Sequence, residues 1–311
     1  MTLTSSITTL VALAALSAAT MQPSAPQAPL IDESAISKVS EHVHVISDRN
    51  VGLVPNVGII VGERAVLVVD TGLGPRNGET VLHATRALTT TPDLYVVATH
   101  FHPEHALGES AFPASAKILR ARSQQQDIDE FGLELAKTFA SRSAATAELL
   151  KDARFRAADV VFDREYRLDL GGVVVRLLAF GPTHTRGDTI VWVEGDRVLF
   201  AGDVVMNHAF VAFASPYSSV KAWLADFDQL ATLGARVLVP SHGLVGDATL
   251  IEAQRTMMKA IQARAIELKR AGKSADETAQ TLQAEFQAAH PDWTAPARVA
   301  AIAKTAYTEA P

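Results

Sequence analysis

The residues best suited to chemistry lie in one run, Ala98-Thr99-His100-Phe101-His102-Pro103-Glu104-His105-Ala106-Leu107-Gly108, where three histidines and a carboxylate fall within six positions. His100 and His102 stand two apart at the end of a strand pattern, so in extended geometry both imidazoles point to one side and can pinch a metal ion. Pro103 suits the first position of a new helix, which puts Glu104 and His105 in its first turn, where the helix dipole favours an ionised carboxylate. Glu104 can there serve as a ligand or as a base that orients water. A His-x-His pair alone is weak evidence, because His42 and His44 alternate with Val43 and Val45 on what reads as a plain strand face. The discriminating residues come later in the chain. Gly181-Pro182-Thr183-His184-Thr185-Arg186-Gly187-Asp188 puts His184 in a glycine-bounded loop between two strands. Phe200-Ala201-Gly202-Asp203 ends another strand with a carboxylate, and Val239-Pro240-Ser241-His242-Gly243 ends the last strand with a histidine. The chain has no cysteine, which excludes thiolate ligands, disulfides, iron–sulfur clusters and cysteine nucleophiles together. Any metal must be held by His, Asp or Glu.

The elements that must position these residues alternate strand and helix. His42 to Ile46, Val57 to Val61, Ala65 to Val69 and Leu94 to Ala98 read as strands, with a first helix from Gly78 to Leu88. Ser123 to Leu150 reads as helical, with Phe131, Leu135 and Phe139 at helical spacing. Strand patterns return at Val173 to Phe180, Thr189 to Val193, Arg197 to Phe200 and Arg236 to Val239, with a helix from Val220 to Leu233. After Gly243 the pattern is helical to the end, with a capping box at Ser274 and Glu277 and a break at Pro291. Two successive β-rich halves, each with helices, predict an α/β fold with two sheets sandwiched between helices. The glycines from Gly72 to Gly78 resemble a dinucleotide loop, but the spacing is wrong and Pro75 interrupts it, so they read as a turn. His83, His290, Met257 and Met258 read as surface or packing residues.

Composition bounds the function. Of 311 residues 48% are hydrophobic and 20% charged, which is globular composition with room for a sizeable core. The net charge is −6 and no long basic run provides a footprint for phosphate backbones, so nucleic acid is excluded as an expected partner. The longest apolar stretch, Leu10 to Ala19, is too short to span a bilayer. With small residues at Ser17, Ala18 and Ala19 and a Pro- and Ala-rich linker behind it, residues 1–30 read as a signal peptide and linker, although Met1 to Thr9 lacks Lys and Arg. The expectation is an exported protein, periplasmic or secreted, with the catalytic domain at residues 31–246 and a helical extension at residues 247–311. That extension either caps the domain or forms a homodimer surface.

In the order and spacing of its four separated motifs, the chain resembles the metallo-β-lactamase superfamily, whose signature is His-x-His-x-Asp-His followed by separated His, Asp or Cys, and His ligands. The resemblance runs from about Glu41 to Gly243 and includes the Val69-Asp70-Thr71-Gly72 turn. It implies a four-layer αββα sandwich with extra C-terminal helices. It also implies that His100, His102 and His184 match a first metal site, that Glu104, His105 and His242 match a second, and that Asp203 bridges the two. The expected metal is zinc, two ions favoured over one. The chain departs from the signature at Glu104, where the family has Asp. The extra methylene moves the carboxylate by about 1.5 Å, while ligand distances tolerate about 0.2 Å, so occupancy of the second site rests on this position.

The chemistry so implied is metal-assisted hydrolysis of an ester, lactone, thioester or lactam carbonyl in a small-molecule substrate, with Glu104 or Asp203 taking the water's proton. Asp70, Thr185, Asp188 and Ser241 stand beside the ligand motifs and are candidates for holding imidazoles in one tautomer, or for plain turn chemistry. Asn207, His208, Phe210, Phe213 and Tyr217, in the loop after Asp203, are candidates for the substrate walls. Asp203 in place of cysteine argues against the cysteine-ligand subclass of true β-lactamases without excluding lactam cleavage. The alternatives are a β-lactamase proper, a diiron oxidoreductase with the same ligands, and a non-catalytic metal-binding scaffold.

Overall fold

A computed structural model describes residues 27–311; most of the segment read as a signal peptide and linker lies outside the described residues. The described residues form two sheets. The first runs in the order β1 (Ile36–Lys38), β2 (Val43–Ile46), β3 (Val57–Val61), β4 (Ala65–Val69), β5 (Asp93–Val97), β6 (Lys117–Ala121) and β7 (Val160–Phe162). The second runs β8 (Glu165–Asp169), β9 (Val174–Phe180), β10 (Asp188–Val193), β11 (Val198–Gly202) and β12 (Val237–Pro240).

Strand alternation assigns the layers. On β4, Ala65, Leu67 and Val69 enter the core between the sheets, where they meet Val175, Leu177, Val191 and Phe200 of the second sheet. Val66 and Val68 face the other way, onto Val81 and Ala84 of α1 (Pro75–Leu88). On β10 the same alternation sends Val191 and Val193 inward. Ile190 and Trp192 point outward to Trp223, Phe227 and Leu230 of α6 (Val220–Leu233). This is the expected α/β architecture, a four-layer αββα sandwich. Full burial of large side chains such as these contributes about 1.5–3 kcal/mol each. The buried indole of Trp223 donates to the Val204 carbonyl at 3.0 Å, which satisfies its one polar atom.

Between β5 and β8 the chain departs from a single helix. Here lie α2 (Pro103–Ala106), α3 (Arg122–Asp127), a π turn, α4 (Leu133–Ala140) and α5 (Ala144–Leu149), where the sequence reading had one run over residues 123–150. The break before α5 is made by Ser143, whose side chain accepts from the Thr146 N–H in a capping box. Strands β1, β6, β7 and β8, which the hydrophobic pattern did not single out, are three to five residues long.

The C-terminal helices α7 (Thr249–Arg270), α8 (Ala275–Ala289) and α9 (Arg298–Glu309) cover the outer face of the second sheet and α6. Met257, Met258, Ile261, Leu282, Ile302 and Ala303 are buried there, so the extension caps the domain.

Parallel pairing decides where function sits. β4, β5 and β6 are mutually parallel, as are β11 and β12, so their C-terminal ends emerge along one edge of the sandwich. Backbone bonds sew the two sheets together there, Thr189 N–H to the Thr99 carbonyl at 2.6 Å and Asn56 N–H to the Ser241 carbonyl at 2.6 Å, while Ser241 N–H to the Gly202 carbonyl at 3.0 Å ties β12 to β11. No described helix is long and apolar enough to cross a membrane.

Candidate metal centre

Every ligand candidate arrives at that edge from a strand end. β5 delivers His100 and His102; His102 is the N-cap of α2, with Pro103 first in the helix as the sequence implied. Glu104 and His105 occupy that helix, His184 the turn between β9 and β10, Asp203 the end of β11, and His242 the end of β12. Their donor atoms form three overlapping groups, each with all atoms within 4.8 Å of one another: His100, His102 and His184; His100, His105 and Asp203; and Glu104, His105 and His242. His184 Nε2 lies 3.3 Å from His102 Nδ1 and 3.5 Å from Asp203 Oδ2. Ligands at zinc–nitrogen distances around a tetrahedral ion stand about 3.3 Å apart, so this spacing fits. Asp203 Oδ1 lies 3.9 Å from both His105 Nε2 and His242 Nε2, which places this carboxylate between the two groups. Glu104 reaches the second group despite its extra methylene.

Hydrogen bonds on the far side of each ring fix the tautomer. His184 Nδ1 meets the Ala212 carbonyl at 2.7 Å and His242 Nδ1 meets the Val54 carbonyl at 2.9 Å. A carbonyl can only accept, so both Nδ1 atoms carry the hydrogen and both Nε2 atoms keep a lone pair. His105 Nδ1 bonds to Asp70 Oδ2 at 2.9 Å. Thr99 Oγ1 gives its single hydrogen to Asp70 at 3.0 Å, so its oxygen receives the hydrogen on His100 Nδ1 at 3.2 Å. The result is a set of buried polar atoms without protein partners, His100 Nε2, His105 Nε2, Glu104 Oε2 and Asp203 Oδ1, all turned toward one another. Buried atoms of this kind are costly unless an ion satisfies them.

The electrostatics agree. Burial, with the neighbouring imidazoles, pushes the pKa values of His100 and His102 well down, so both rings are neutral, which is the ligating form. Burial also opposes a charge on His105, but Asp70 against its ring, with Asp203 and Glu104 beside it, raises its pKa to about 9. Burial raises the pKa of Glu104. Asp203 is held below the usual carboxylate range, because His184, His242, His105 and His102 together outweigh its burial. The pocket therefore favours a cation at its centre, and the residues present fit one.

Of the residues read as orienting groups, Asp70 alone touches a ligand imidazole, that of His105. Asp188 accepts from Thr183 Oγ1 at 2.5 Å and from the Thr185 N–H at 3.0 Å and its hydroxyl at 2.8 Å, so Asp188 and Thr185 knit the His184 turn instead of holding a ring. Ser241 Oγ is buried without a partner, and Ser241 acts through its backbone. Carbonyls do the work expected of these side chains, and a carbonyl's position has no signature in sequence.

The cluster forms the floor of a cavity of about 500 Å³, lined by His102, Glu104, His184, Asp203 and His242. Of the expected wall residues, Asn207 lines it and the others do not. Phe210 is fully buried against Trp293 and His290, and Phe213 stacks on Trp223. His208 is exposed and paired with Asp292, while Tyr217 bonds to Glu130 beneath the Arg186 guanidinium. The loop after Asp203 turns Phe210 and Phe213 into the helical layer and gives the cavity Met206, Ala209, Ala212 and Ala214 beside Asn207. The remaining walls come from elsewhere. They are the loop Asp48 to Leu53, Leu135 and Phe139 of α4, Arg142, and Thr294, Ala295 and Arg298 at the start of α9. Of these, Leu135 and Phe139 stood at helical spacing in the sequence, and a Gly-containing loop between two strands was the only other signal.

Residues 51–242, well over half of the chain, match the family described as the Metallo-beta-lactamase superfamily. The chain belongs to that superfamily. Among curated relatives it is 22% identical over 215 residues to a linear primary-alkylsulfatase of a Pseudomonas species, covering 60% of this chain and 40% of the alkylsulfatase. It is 29% identical over 203 residues to the acyl-coenzyme A thioesterase MBLAC2 of Gallus gallus, covering 60% and 72%. Among solved structures, the inverting sec-alkylsulfatase Pisa1 from Pseudomonas sp. superposes with TM-score 0.67 at 16% identity, covering 88% of this chain and 49% of that one. The DIM-1 metallo-β-lactamase superposes with TM-score 0.57 at 19% identity, covering 72% and 96%. These similarities establish the superfamily fold, and the chain spans less than half of both alkylsulfatases. The superfamily match ends at His242, yet Thr294, Ala295 and Arg298 of the extension line the same cavity.

Proposed function

We propose that this superfamily member is a zinc-dependent hydrolase that holds two ions and cleaves an ester, thioester or lactone carbonyl, with lactams ranked behind these. The reading is carried by the convergence of unpartnered buried nitrogen and oxygen atoms, arranged in three overlapping groups, with Asp203 near both His105 and His242. His100, His102 and His184 would hold one ion; Glu104, His105 and His242 would hold the other, with Asp203 facing both. When bound, zinc polarises a carbonyl and makes water nucleophilic near neutral pH. The chain's own residues supply the rest. Asp203, whose carboxyl is held below the usual carboxylate range, is a fixed negative partner for the ions. Glu104, whose carboxylate burial makes the more basic of the two, is the group assigned to take the water's proton at Oε2 and return it to the leaving atom. The carbonyls of Ala212 and Val54 and the Asp70 carboxylate hold His184, His242 and His105 in place throughout. The apolar walls at Leu53, Leu135 and Phe139 exclude water from one side. The names of the curated relatives add thioester and sulfate-ester bonds to the set worth assaying.

Plasma mass spectrometry of protein purified without added metal should return two zinc ions per chain. His100→Ala and His184→Ala should each lower that count and abolish hydrolysis. A panel of a nitrophenyl ester, an acyl thioester, a lactone, an alkyl sulfate and a cephalosporin then ranks the bond. Iron in place of zinc would move the reading to a diiron oxidoreductase, and absence of both metal and turnover would leave a scaffold. The apolar N-terminal stretch supports export. N-terminal sequencing of the mature protein from the periplasm or medium should begin after Ala19, and a retained Met1 would overturn it.

A further inference from the structure

Two cations line the cavity that holds the metal-ligand cluster, Arg142 and Arg298, and they come from elements far apart in sequence. Arg142 follows α4 and stands with its guanidinium 3.5 Å over the Phe139 ring. Phe139 in turn lies tilted toward His102, ring to ring 6.3 Å, so one aromatic ring separates this cation from the cluster. Arg298 opens α9 and is tethered by a 3.0 Å bond from Nη1 to the Phe210 carbonyl. Both are held by neutral groups, a ring face and a carbonyl, and neither has a carboxylate partner among the described residues. Other arginines are paired with acids, as at Arg120 with Glu109 and Arg186 with Asp127, or tied to carbonyls away from the cavity, as Arg156 and Arg197 are. The acids that line the cavity do not serve as partners. Asp48 is committed to the backbone N–H groups of Asn50 and Gly243, and Glu104 and Asp203 belong to the ligand cluster. Arg142 is exposed and Arg298 half-buried, while every ligand candidate but the half-buried His242 is buried, and Leu53, Leu135, Phe139, Met206 and Ala209 line the same cavity.

We propose that Arg142 and Arg298 form a clamp for an anionic group on the substrate, carboxylate, sulfonate or phosphate, separated by an apolar segment from the bond that is cleaved. This rests on the hydrolase reading above and adds the substrate class, an amphiphilic anion whose scissile group sits on the floor of the cavity and whose charge sits at the mouth. Guanidinium forks are suited to planar or tetrahedral oxyanions, and both are pre-positioned by their neutral partners, so little side-chain freedom is lost on binding. Arg298 lies outside the stretch that matches the superfamily, which makes the C-terminal extension a determinant of specificity as well as a cap.

Two measurements on the zinc-loaded full chain test this. The first compares kcat/KM for 4-nitrophenyl hexanoate with that for the 4-nitrophenyl monoester of adipic acid, which has the same chain length and a terminal carboxylate. The wild-type ratio should favour the anionic ester, and Arg142→Gln and Arg298→Gln should each lower that ratio by about tenfold or more. Arg298→Lys, which keeps the charge but not the fork, should fall between. The second is calorimetric binding of decanesulfonate, which has no hydrolysable bond. Affinity should fall by about tenfold or more in Arg142→Gln, whose exposed site leaves the fold intact. An unchanged ester ratio, or sulfonate binding that survives both substitutions, overturns the clamp. Failure to hydrolyse any substrate overturns the hydrolase reading instead, and the sulfonate measurement then still decides the clamp.

Discussion

Asp70 reaches Thr99 N–H at 2.7 Å, Thr99 Oγ1 at 3.0 Å and His105 Nδ1 at 2.9 Å from a backbone with φ of 62°, a left-handed conformation in which Asp and Asn are the tolerated side chains. One carboxylate thereby orients His105 directly and His100 through Thr99. Asp70→Asn keeps the backbone fit but loses the negative charge and one acceptor. Zinc affinity measured by chelator competition should fall about 10–100-fold; an unchanged affinity would reduce Asp70 to turn chemistry. At this scale the ligands themselves were legible, because histidines two apart beside a helix start, and single histidines at strand ends, are sequence patterns. The groups that hold them were legible only in part. Asp70 stands in a recognisable turn, whereas the Ala212 and Val54 carbonyls belong to residues whose side chains have no role in the site.

The turn after α2 is wedged between the turn after β4 and α1 by backbone contacts so close that two positions admit only glycine. A Cβ at Gly108 would stand 2.1 Å from the Thr71 carbonyl oxygen, and one at Gly78 would stand 2.0 Å from the Gly108 carbonyl oxygen. Thr71 N–H in turn donates to the His105 carbonyl at 2.8 Å, so any displacement is passed to a ligand. Gly108→Ala should cost about 1–3 kcal/mol in urea unfolding and lower the zinc retained after gel filtration. A variant with the unchanged midpoint would show that the turn can move freely. On the other side of the site, α6 presents Asp226 to the Gly181 N–H at 3.0 Å, at the base of the His184 turn. Burial, with Asp188 nearby, raises the Asp226 pKa to about 7. Between about pH 4 and pH 7 the folded chain therefore holds a proton that the unfolded chain has released, and stability falls as pH rises through that window. Asp226→Asn retains an acceptor for Gly181 and carries no charge. Its melting temperature should exceed wild type by several degrees near pH 8, with the gap closing toward pH 4; a gap independent of pH would sink this account. The helix and strand periodicity of α1, α6 and the long strands was readable, but the short strands and the broken α3–α5 region were not. Edge strands of three residues carry no period, and a capping serine inside an Ala-rich run looks like any other serine.

As a whole, the molecule is one sandwich whose C-terminal extension is part of both core and cavity. Ile302 of α9 is fully buried with Leu282 of α8 and Met258 of α7. Ile302→Ala should cost about 2–5 kcal/mol in a single unfolding transition that also disturbs Arg298. A second transition, with the metal centre unaffected, would mean that the extension folds apart from the sandwich. The sequence alone determined the layered α/β class, the seven ligand candidates and the exclusion of thiolate chemistry, because these depend on residue type, local period and order along the chain. Only the tertiary structure decided the walls of the cavity, the fate of Phe210, Phe213 and Tyr217, and the lining of one cavity by both Arg142 and Arg298. Those outcomes follow from which side of the second sheet a loop turns toward and how three distant helices dock, and packing between residues far apart in sequence leaves no local pattern to read.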